Sequence, residues 1–220
     1  MTRHAVWSDF RGVLTPPLAE GIRRFCHGRE FTPDQLRECL RAIARRHHCP
    51  DGMAVLDSGV LDERRWTGEI ERELAARYGV RADLSDFNAA WWDDRRVDHA
   101  WTAALRSWRR RGIFVGLVSN LPLDWKAGLA AFTAASGLDE LFDDVVLSCD
   151  VGVRKPDAAL FRVAESRSGL PPRFNILADD LAGNVAGADQ AGWTGVLAGG
   201  DATQDAITRI ESILRVRDAA

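Results

Sequence analysis

Five short apolar runs, each closed by turn or polar residues, constrain the fold of this chain more than any other feature. Runs of this length that are apolar throughout are typical of strands buried on both faces of a parallel sheet. Segments with apolar residues at helical spacing separate the last four runs. This alternation predicts right-handed βαβ units, and therefore an α/β fold with a parallel sheet flanked by helices. The runs are 4–8, 113–118, 145–148, 174–178 and 194–198.

The first run stands apart, because about a hundred residues with a helical pattern lie between it and the second. Thr32-Pro33 is a good helix start, since the hydroxyl can cap the helix and proline suits its first position. Leu61-Asp62 precedes another helical segment. The sequence therefore predicts two domains, with an α-helical cap inserted into an α/β core. The core comprises residues 1–14 and 97–220, and the cap comprises 15–96.

Composition and charge exclude several classes of partner. The chain is 46% hydrophobic and 28% charged, which is ordinary for a globular protein. A net charge of −3 gives no electrostatic reason to expect nucleic acid or an anionic membrane as partner. No apolar run approaches the roughly 20 residues of a membrane helix, and the four cysteines show no CxxC pairing. We expect a cytoplasmic monomer or homodimer that acts on a small-molecule substrate.

Four polar patterns follow the first four runs. Because ligand sites in open parallel sheets lie at the carboxyl ends of the strands, we expect all four to meet in one crevice. Taken singly, each pattern is also typical of a turn or a helix cap. The patterns are Asp9-Phe10-Arg11-Gly12-Val13-Leu14, Ser119-Asn120, Gly152-Val153-Arg154-Lys155-Pro156-Asp157 and Asp179-Asp180-Leu181-Ala182-Gly183-Asn184.

The residue types in these patterns suit phosphoryl transfer. An ionised carboxylate such as Asp9 is a usable nucleophile at neutral pH without an activating base. The reaction also needs a cationic clamp and donors aimed at the equatorial oxygens. Several carboxylates in one place call for a hard cation such as Mg²⁺. Lys155 is one of two lysines among 29 basic residues, so a compact ammonium at this point has a chemical reason rather than a compositional one.

In this order the patterns resemble the haloacid dehalogenase (HAD) superfamily of hydrolases, in its branch with a helical cap after the first strand. The resemblance covers essentially the whole chain and implies a Rossmann-like core. It implies that Asp9 is the nucleophile, that Ser119 hydrogen-bonds the transferred group, and that Lys155 neutralises the charge of that group and steadies Asp9.

The resemblance also implies a Mg²⁺ site. Its ligands would be Asp9, Asp180, Asp179 and the backbone carbonyl of Arg11. Asn184 stands where the family has an Asp or Asn that contacts the metal ligands rather than the metal.

Position 11 departs from the family pattern. Family phosphatases usually have a second Asp there, which protonates the leaving oxygen and later deprotonates the attacking water. Arg11 can do neither, because a guanidinium keeps its protons at any working pH. Arg11 could instead bind an anionic group of the substrate through its planar fork, or it could pair with a carboxylate of the cap.

These patterns predict a hydrolase that acts through Asp9, and most directly a Mg²⁺-dependent phosphatase for a small phosphorylated metabolite with an impaired or unusual acid/base step. Two alternatives stay open. One is a dehalogenase or other carbon-centred hydrolase, in which Arg11 holds a substrate carboxylate. The other is a family member that has lost hydrolysis and binds or transforms a different substrate.

Three further residues are predicted to bind the substrate. Asn120 follows Ser119 at a strand end, and Trp91 and Trp92 lie where the cap should rejoin the core. The two tryptophans could wall the pocket and set substrate choice. They could equally form a hydrophobic contact near the hinge of the cap.

Overall fold

Residues 4–93 and 95–218 are described by the computed structural model, and they divide into two compact units. The α/β unit comprises Met1–Pro17, Arg96–Asn120 and Thr133–Ala220. The helical unit comprises Leu18–Arg95 and Leu121–Phe132. Residues 1–3, 94, 219 and 220, which belong to the predicted segments, lie outside the described part of the chain.

The α/β unit contains a parallel sheet of five strands in the order β3-β2-β1-β4-β5. Every strand begins and ends within one residue of a predicted run. The predicted α/β fold is therefore confirmed. The strands are β1 (Ala5–Ser8), β2 (Phe114–Ser119), β3 (Asp144–Leu147), β4 (Asn175–Asp179) and β5 (Thr194–Leu197).

Helices account for most of the rest of the described residues. In chain order the α-helices are α1 (Leu18–Cys26), α2 (Pro33–Arg46), α3 (Gly52–Asp57), α4 (Glu63–Tyr78), α5 (Phe87–Trp92), α6 (His99–Arg110), α7 (Lys126–Ala135), α8 (Ser148–Val151), α9 (Ala158–Ser168), α10 (Ala182–Gln190) and α11 (Thr203–Asp218). Short 3-10 helices cover Leu123–Trp125, Pro172–Phe174 and Gly200–Ala202. Among the described residues, none of these helices is both long and apolar enough to cross a membrane.

Helices pack against both faces of the sheet. Successive side chains of a strand point to opposite faces, so Trp7 and Ser8 of β1 lie on different sides. Trp7 packs in a core cluster with residues of α9 and α10. On the other side, the buried Trp101 of α6 donates a hydrogen bond from Nε1 to the Ser8 hydroxyl oxygen at 2.9 Å. Coverage on both faces explains why the strands are apolar throughout.

Trp7 lies across the neighbouring strand at a glycine. A Cβ atom built on Gly116 of β2 would lie 2.2 Å from the Trp7 ring. The buried indole Nε1 donates to Asn175 Oδ1 at 3.0 Å, so its polar hydrogen is satisfied. Gly116 therefore provides the space that the largest side chain of β1 occupies.

The helical unit begins its helices where the sequence predicts. The Thr32 hydroxyl accepts from the Gln35 amide, and the Gln35 side chain accepts from the Thr32 amide, which completes a capping box at α2. The Asp62 carboxylate accepts from the Arg65 amide at 2.8 Å and caps α4. These starts depend on local sequence alone, which explains why they can be predicted.

The helical unit also contains a segment that the sequence placed in the core domain. It shares residues 18–95 with the predicted cap and adds Leu121–Phe132. Trp125, which is buried, has its ring centroid 5.3 Å from that of Trp91 and 6.0 Å from that of Phe87. This aromatic packing explains why the segment after β2 belongs to the helical unit.

We expect the substitution Gly116→Ala to lower the free energy of unfolding by about 1–3 kcal/mol, the usual cost of overpacking a core. Urea denaturation followed by circular dichroism measures the change. Gly183→Ala is the control, because nothing lies within 4 Å of its added Cβ. It should be neutral or stabilising by up to about 1 kcal/mol. An unchanged denaturation midpoint for Gly116→Ala would contradict the packing described here.

Candidate active site

The register of the sheet brings three strand ends to the same level. Ser8 of β1 pairs with Leu117 of β2 on one side and with Ala178 of β4 on the other. The next residue, Asp9, therefore lies beside Val118 and Asp179. Its amide continues the ladder by donating to the Ala178 carbonyl at 2.8 Å. The central strands thus deliver their polar residues to one edge of the sheet.

Lys155 joins these three strand ends. Its side chain is 1% exposed. Its ammonium donates to Asp9 Oδ1 at 2.8 Å, to Asp179 Oδ2 at 2.6 Å and to the Val118 carbonyl at 2.8 Å. An ammonium has three protons to donate, and each has an acceptor here. Lys155 therefore bridges the two carboxylates.

The backbone of Lys155 is held by Asn120. The Lys155 amide donates to Asn120 Oδ1 at 2.8 Å, and Asn120 Nδ2 donates to the Lys155 carbonyl at 3.1 Å. Asn120 therefore uses both ends of its side-chain amide on the backbone of Lys155, and its contact with a substrate stays a prediction. The neighbouring Ser119 is buried at the end of β2, where it is predicted to contact the transferred group.

The two adjacent carboxylates after β4 differ in their surroundings. Asp179 is fully buried, and its Oδ1 accepts from the Leu181 amide and from Asn184 Nδ2, both at 2.9 Å. Together with Lys155, Asp179 thus has three hydrogen-bond donors. Asn184 thus contacts Asp179, and its predicted role beside a metal ion stays a prediction.

Asp180 is less buried than Asp179, and burial is nevertheless the largest influence on its pKa. Burial and the negative charges of Asp9 and Asp179 raise the pKa of Asp180 to about 7, although Arg11 and Lys155 act in the opposite direction. A carboxylate in this position gains from a cation that offsets its like-charged neighbours.

The three carboxylates form a group that suits a metal ion. Asp9, Asp179 and Asp180 each offer an oxygen, and these oxygens lie within 4.8 Å of one another. Mg²⁺ prefers oxygen ligands. Besides burial, the negative charges of Asp9 and Asp179 raise the pKa of Asp180, and a divalent cation would offset these charges. These residues therefore fit the predicted ion, and the carbonyl of Arg11 stays a predicted ligand.

The nucleophile candidate and the lysine influence each other. Burial raises the pKa of Asp9, and so does the charge of Asp179, while Lys155 lowers it. Burial lowers the pKa of Lys155, but Asp179 and Asp9 outweigh it and hold that pKa above its ordinary value. Lys155 therefore stays charged and favours the ionised form of Asp9 that attack requires.

A tight turn after β1 places Arg11 and Gly12. The Thr15 amide donates to the Phe10 carbonyl at 2.9 Å, and the Gly12 amide donates to the Thr15 carbonyl at 2.8 Å. Gly12 has φ +94°, and a Cβ on it would lie 2.0 Å from Asp180 Oδ2. Both the backbone conformation and the lack of space require glycine. Arg11 is partly exposed. Its positive charge lowers the pKa of Asp180, so the guanidinium acts electrostatically on one of the candidate metal ligands.

The structure places the two predicted pocket tryptophans differently. Trp91 is 2% exposed and packs between Phe87 and Trp125, which corrects the prediction that its ring walls the pocket. Trp91 instead makes a hydrophobic contact, which was the second interpretation of its position in the sequence. Trp92 is partly exposed and donates from Nε1 to Asn88 Oδ1 at 2.8 Å. Its role toward a substrate stays a prediction.

Sequence reasoning missed two contacts that hold the site. One is the Val118 carbonyl, which carries no sequence signal because every residue has such a group. The other is a pair of successive hydrogen bonds. Trp101 donates to the Ser8 hydroxyl, and this hydroxyl donates to the Asp9 carbonyl at 2.7 Å. Trp101 lies 93 residues from Ser8 along the chain, and no local pattern links the two.

The family described as haloacid dehalogenase-like hydrolase has a sequence model that matches residues 4–192. The chain belongs to this family. It is a HAD-like hydrolase, as the order of its motifs predicted.

Solved structures of other proteins share the fold of this HAD-like hydrolase. A HAD-like family hydrolase from Porphyromonas gingivalis is 24% identical, with a TM-score of 0.62 and coverage of 96% of this chain and 98% of that one. L-2-haloacid dehalogenase from Xanthobacter autotrophicus, with chloropropionic acid covalently bound, is 17% identical, with a TM-score of 0.64 and coverage of 90% and 77%. A HAD family enzyme from Bacteroides thetaiotaomicron, in complex with magnesium and inorganic phosphate, is 16% identical, with a TM-score of 0.62 and coverage of 91% and 98%.

The raised pKa of Asp180 predicts how stability depends on pH. In the metal-free protein the folded state binds the Asp180 proton more tightly than the unfolded state does. This proton therefore stabilises the folded state fully below pH 3.8. The stabilisation is lost as the pH rises from 3.8 through about 7. We expect urea unfolding in a chelator to show a free energy that falls across this range, and Asp180→Asn should reduce the fall. Asp205→Asn, at an exposed position of α11, should leave it unchanged. Equal slopes for the parent and Asp180→Asn would refute the raised pKa.

Proposed function

We propose that this hydrolase is a Mg²⁺-dependent phosphatase that acts on a small phosphorylated metabolite, with Asp9 as its nucleophile. The observation that carries the proposal is that Asp9, Asp179 and Asp180 lie close enough together to hold one metal ion, next to the buried Lys155. Attack on phosphorus benefits from a divalent cation that neutralises the phosphoryl oxygens. Mg²⁺ held by these carboxylates would supply that charge.

The residues of the chain divide the work of the first step. Lys155 holds Asp9 through Oδ1, so we assign the attack to Oδ2. A bond forms between this oxygen and phosphorus while the bond to the leaving alkoxide breaks. The buried Ser119 hydroxyl at the end of β2 would donate to the transferred group. Water then hydrolyses the acyl phosphate and restores the carboxylate.

Arg11 limits this chemistry at the proton transfers. A guanidinium does not give up a proton at neutral pH, so it cannot protonate a leaving alkoxide. General acid–base catalysis of this kind is typically worth about 10²–10⁴-fold in rate. The proposed phosphatase should therefore favour substrates whose leaving group departs without a proton.

A second candidate is a dehalogenase, and the position of Arg11 favours it. In that reaction Asp9 attacks carbon, halide leaves, and a cation near the nucleophile can hold the substrate carboxylate. Arg11 is close enough to Asp180 to lower its pKa. The solved dehalogenase with covalently bound chloropropionic acid shares this fold. The grouping of Asp9, Asp179 and Asp180 argues against this candidate. These three carboxylates suit a metal ion, and attack on carbon does not need one.

Calorimetric titration with Mg²⁺ tests the proposed metal site. We expect the parent to bind Mg²⁺ and Asp180→Ala to lose most of that affinity, because the variant removes one of the three carboxylates that could hold the ion. Asp205→Ala, which removes an exposed carboxylate of α11, should bind like the parent. If the parent does not bind Mg²⁺, the phosphatase proposal fails. That result would support the second candidate, a dehalogenase that needs no metal.

The substitution Arg11→Asp separates the two candidates. For a phosphatase that lacks only proton transfer, it should raise turnover of alkyl phosphate esters by roughly 10- to 100-fold, within the range of general acid catalysis. Aryl phosphates should respond much less, since a phenolate leaves without a proton. For a dehalogenase, the same change should abolish hydrolysis of 2-haloacids, whose carboxylate would then face another carboxylate.

Two control variants accompany that experiment. Arg162→Asp makes the same change of charge at an exposed position of α9 and should leave turnover unchanged. Asp9→Asn should abolish activity in either reaction, because a neutral amide cannot serve as the nucleophile. Activity that survives Asp9→Asn would come from elsewhere and would overturn both candidates.

A further inference from the structure

Asn120 and Lys155 make a pair of hydrogen bonds that resembles the pairing of two strands. The amide of Lys155 donates to Asn120 Oδ1, and Asn120 Nδ2 donates to the carbonyl of the same residue. A side-chain amide has the donor and the acceptor needed to pair with both polar backbone groups of one residue. In the described part of the chain, the hydrogen bonds found for the Lys155 backbone both run to Asn120.

Lys155 is thereby attached to the end of β2 at two points. Its backbone contacts Asn120, and its ammonium donates to the carbonyl of Val118, two residues earlier. Lys155 itself lies between α8 and α9, outside any helix or strand. The ladder of the sheet therefore does not fix its backbone, and the side chain of Asn120 does so instead.

We propose that Asn120 is a positioning residue that fixes the backbone of Lys155 and so keeps its ammonium between Asp9 and Asp179. The effect on turnover rests on the proposed function, whereas the effect on Lys155 does not. Asn120 acts through Lys155 and does not contact the substrate. Its loss should therefore reduce kcat and leave KM nearly unchanged.

The chain offers a direct probe of Lys155, because its two lysines are Lys126 and Lys155. Labelling with ¹⁵N-lysine gives two side-chain ammonium signals, and Lys126→Arg leaves that of Lys155. We expect the Lys155 ammonium of the parent to exchange slowly with water, since it is buried and donates three hydrogen bonds. In Asn120→Ala this signal should shift, broaden and exchange faster.

Kinetics with 4-nitrophenyl phosphate supply the second measurement. We expect Asn120→Ala to lower kcat about tenfold or more, because small misplacements of a catalytic group can reduce rates about 10²-fold. KM should stay within about twofold. Asn120→Ser replaces the amide with a hydroxyl that can make at most one of the two contacts, so its effect on kcat and on the Lys155 signal should be intermediate. It also keeps the test decisive if Asn120→Ala does not fold.

Gln35→Ala is the matched control. Gln35 also uses its side-chain amide on the backbone, because its Oε1 accepts from the Thr32 amide at 2.8 Å. This variant should leave the Lys155 signal and kcat as in the parent.

Two results would overturn the proposal. One is an unchanged Lys155 signal in both Asn120 variants. The other is a raised KM with an unchanged kcat, which would mean that Asn120 contacts the substrate. If the parent does not hydrolyse 4-nitrophenyl phosphate, the proposed function fails, and the Lys155 signal alone decides whether Asn120 positions the lysine.

Discussion

A buried ammonium is costly unless it is paired, and the loss of one partner of a buried ion pair leaves an uncompensated charge. Lys155 meets this requirement with one acceptor from each of the three central strands, β1, β2 and β4. The same carboxylates depend on Lys155, since their mutual repulsion is relieved by its charge. The strand order and register that align Asp9 with Asp179 are therefore conditions for burying all of these charges.

Arg11 alters the charge balance of this arrangement. The three carboxylates and Lys155 together carry a surplus of negative charge, and Arg11 reduces it. An Asp at this position, as in family phosphatases, would increase the surplus instead. An Arg in place of this Asp therefore changes two properties of the site. It removes a proton donor for the leaving group, and it changes how strongly the site attracts cations and anions. A guanidinium at this position can bind a carboxylate or a phosphate group through two parallel hydrogen bonds.

The sequence predicted the features that depend on local pattern. The strands lie within one residue of their predicted positions, Thr32 caps its helix as expected, and a helix follows Leu61-Asp62. Features that depend on tertiary packing were not predictable. Trp91 is buried by aromatic neighbours that are distant in sequence, and Asn120 turns toward a backbone that no motif associates with it. Strand ends show which residues meet, whereas the direction of each side chain requires the structure.

The composition of the helical unit has a consequence for how members of such a family diversify. Its residues come from two separate stretches of chain, 18–95 and 121–132, and the second begins immediately after Asn120. Exchange of the first stretch alone would leave Trp125 without Phe87 and Trp91, its aromatic partners. The unit is therefore not a single interchangeable insert. Recombination that brings in a new helical unit must also replace a piece of chain joined directly to Asn120, which holds the backbone of Lys155.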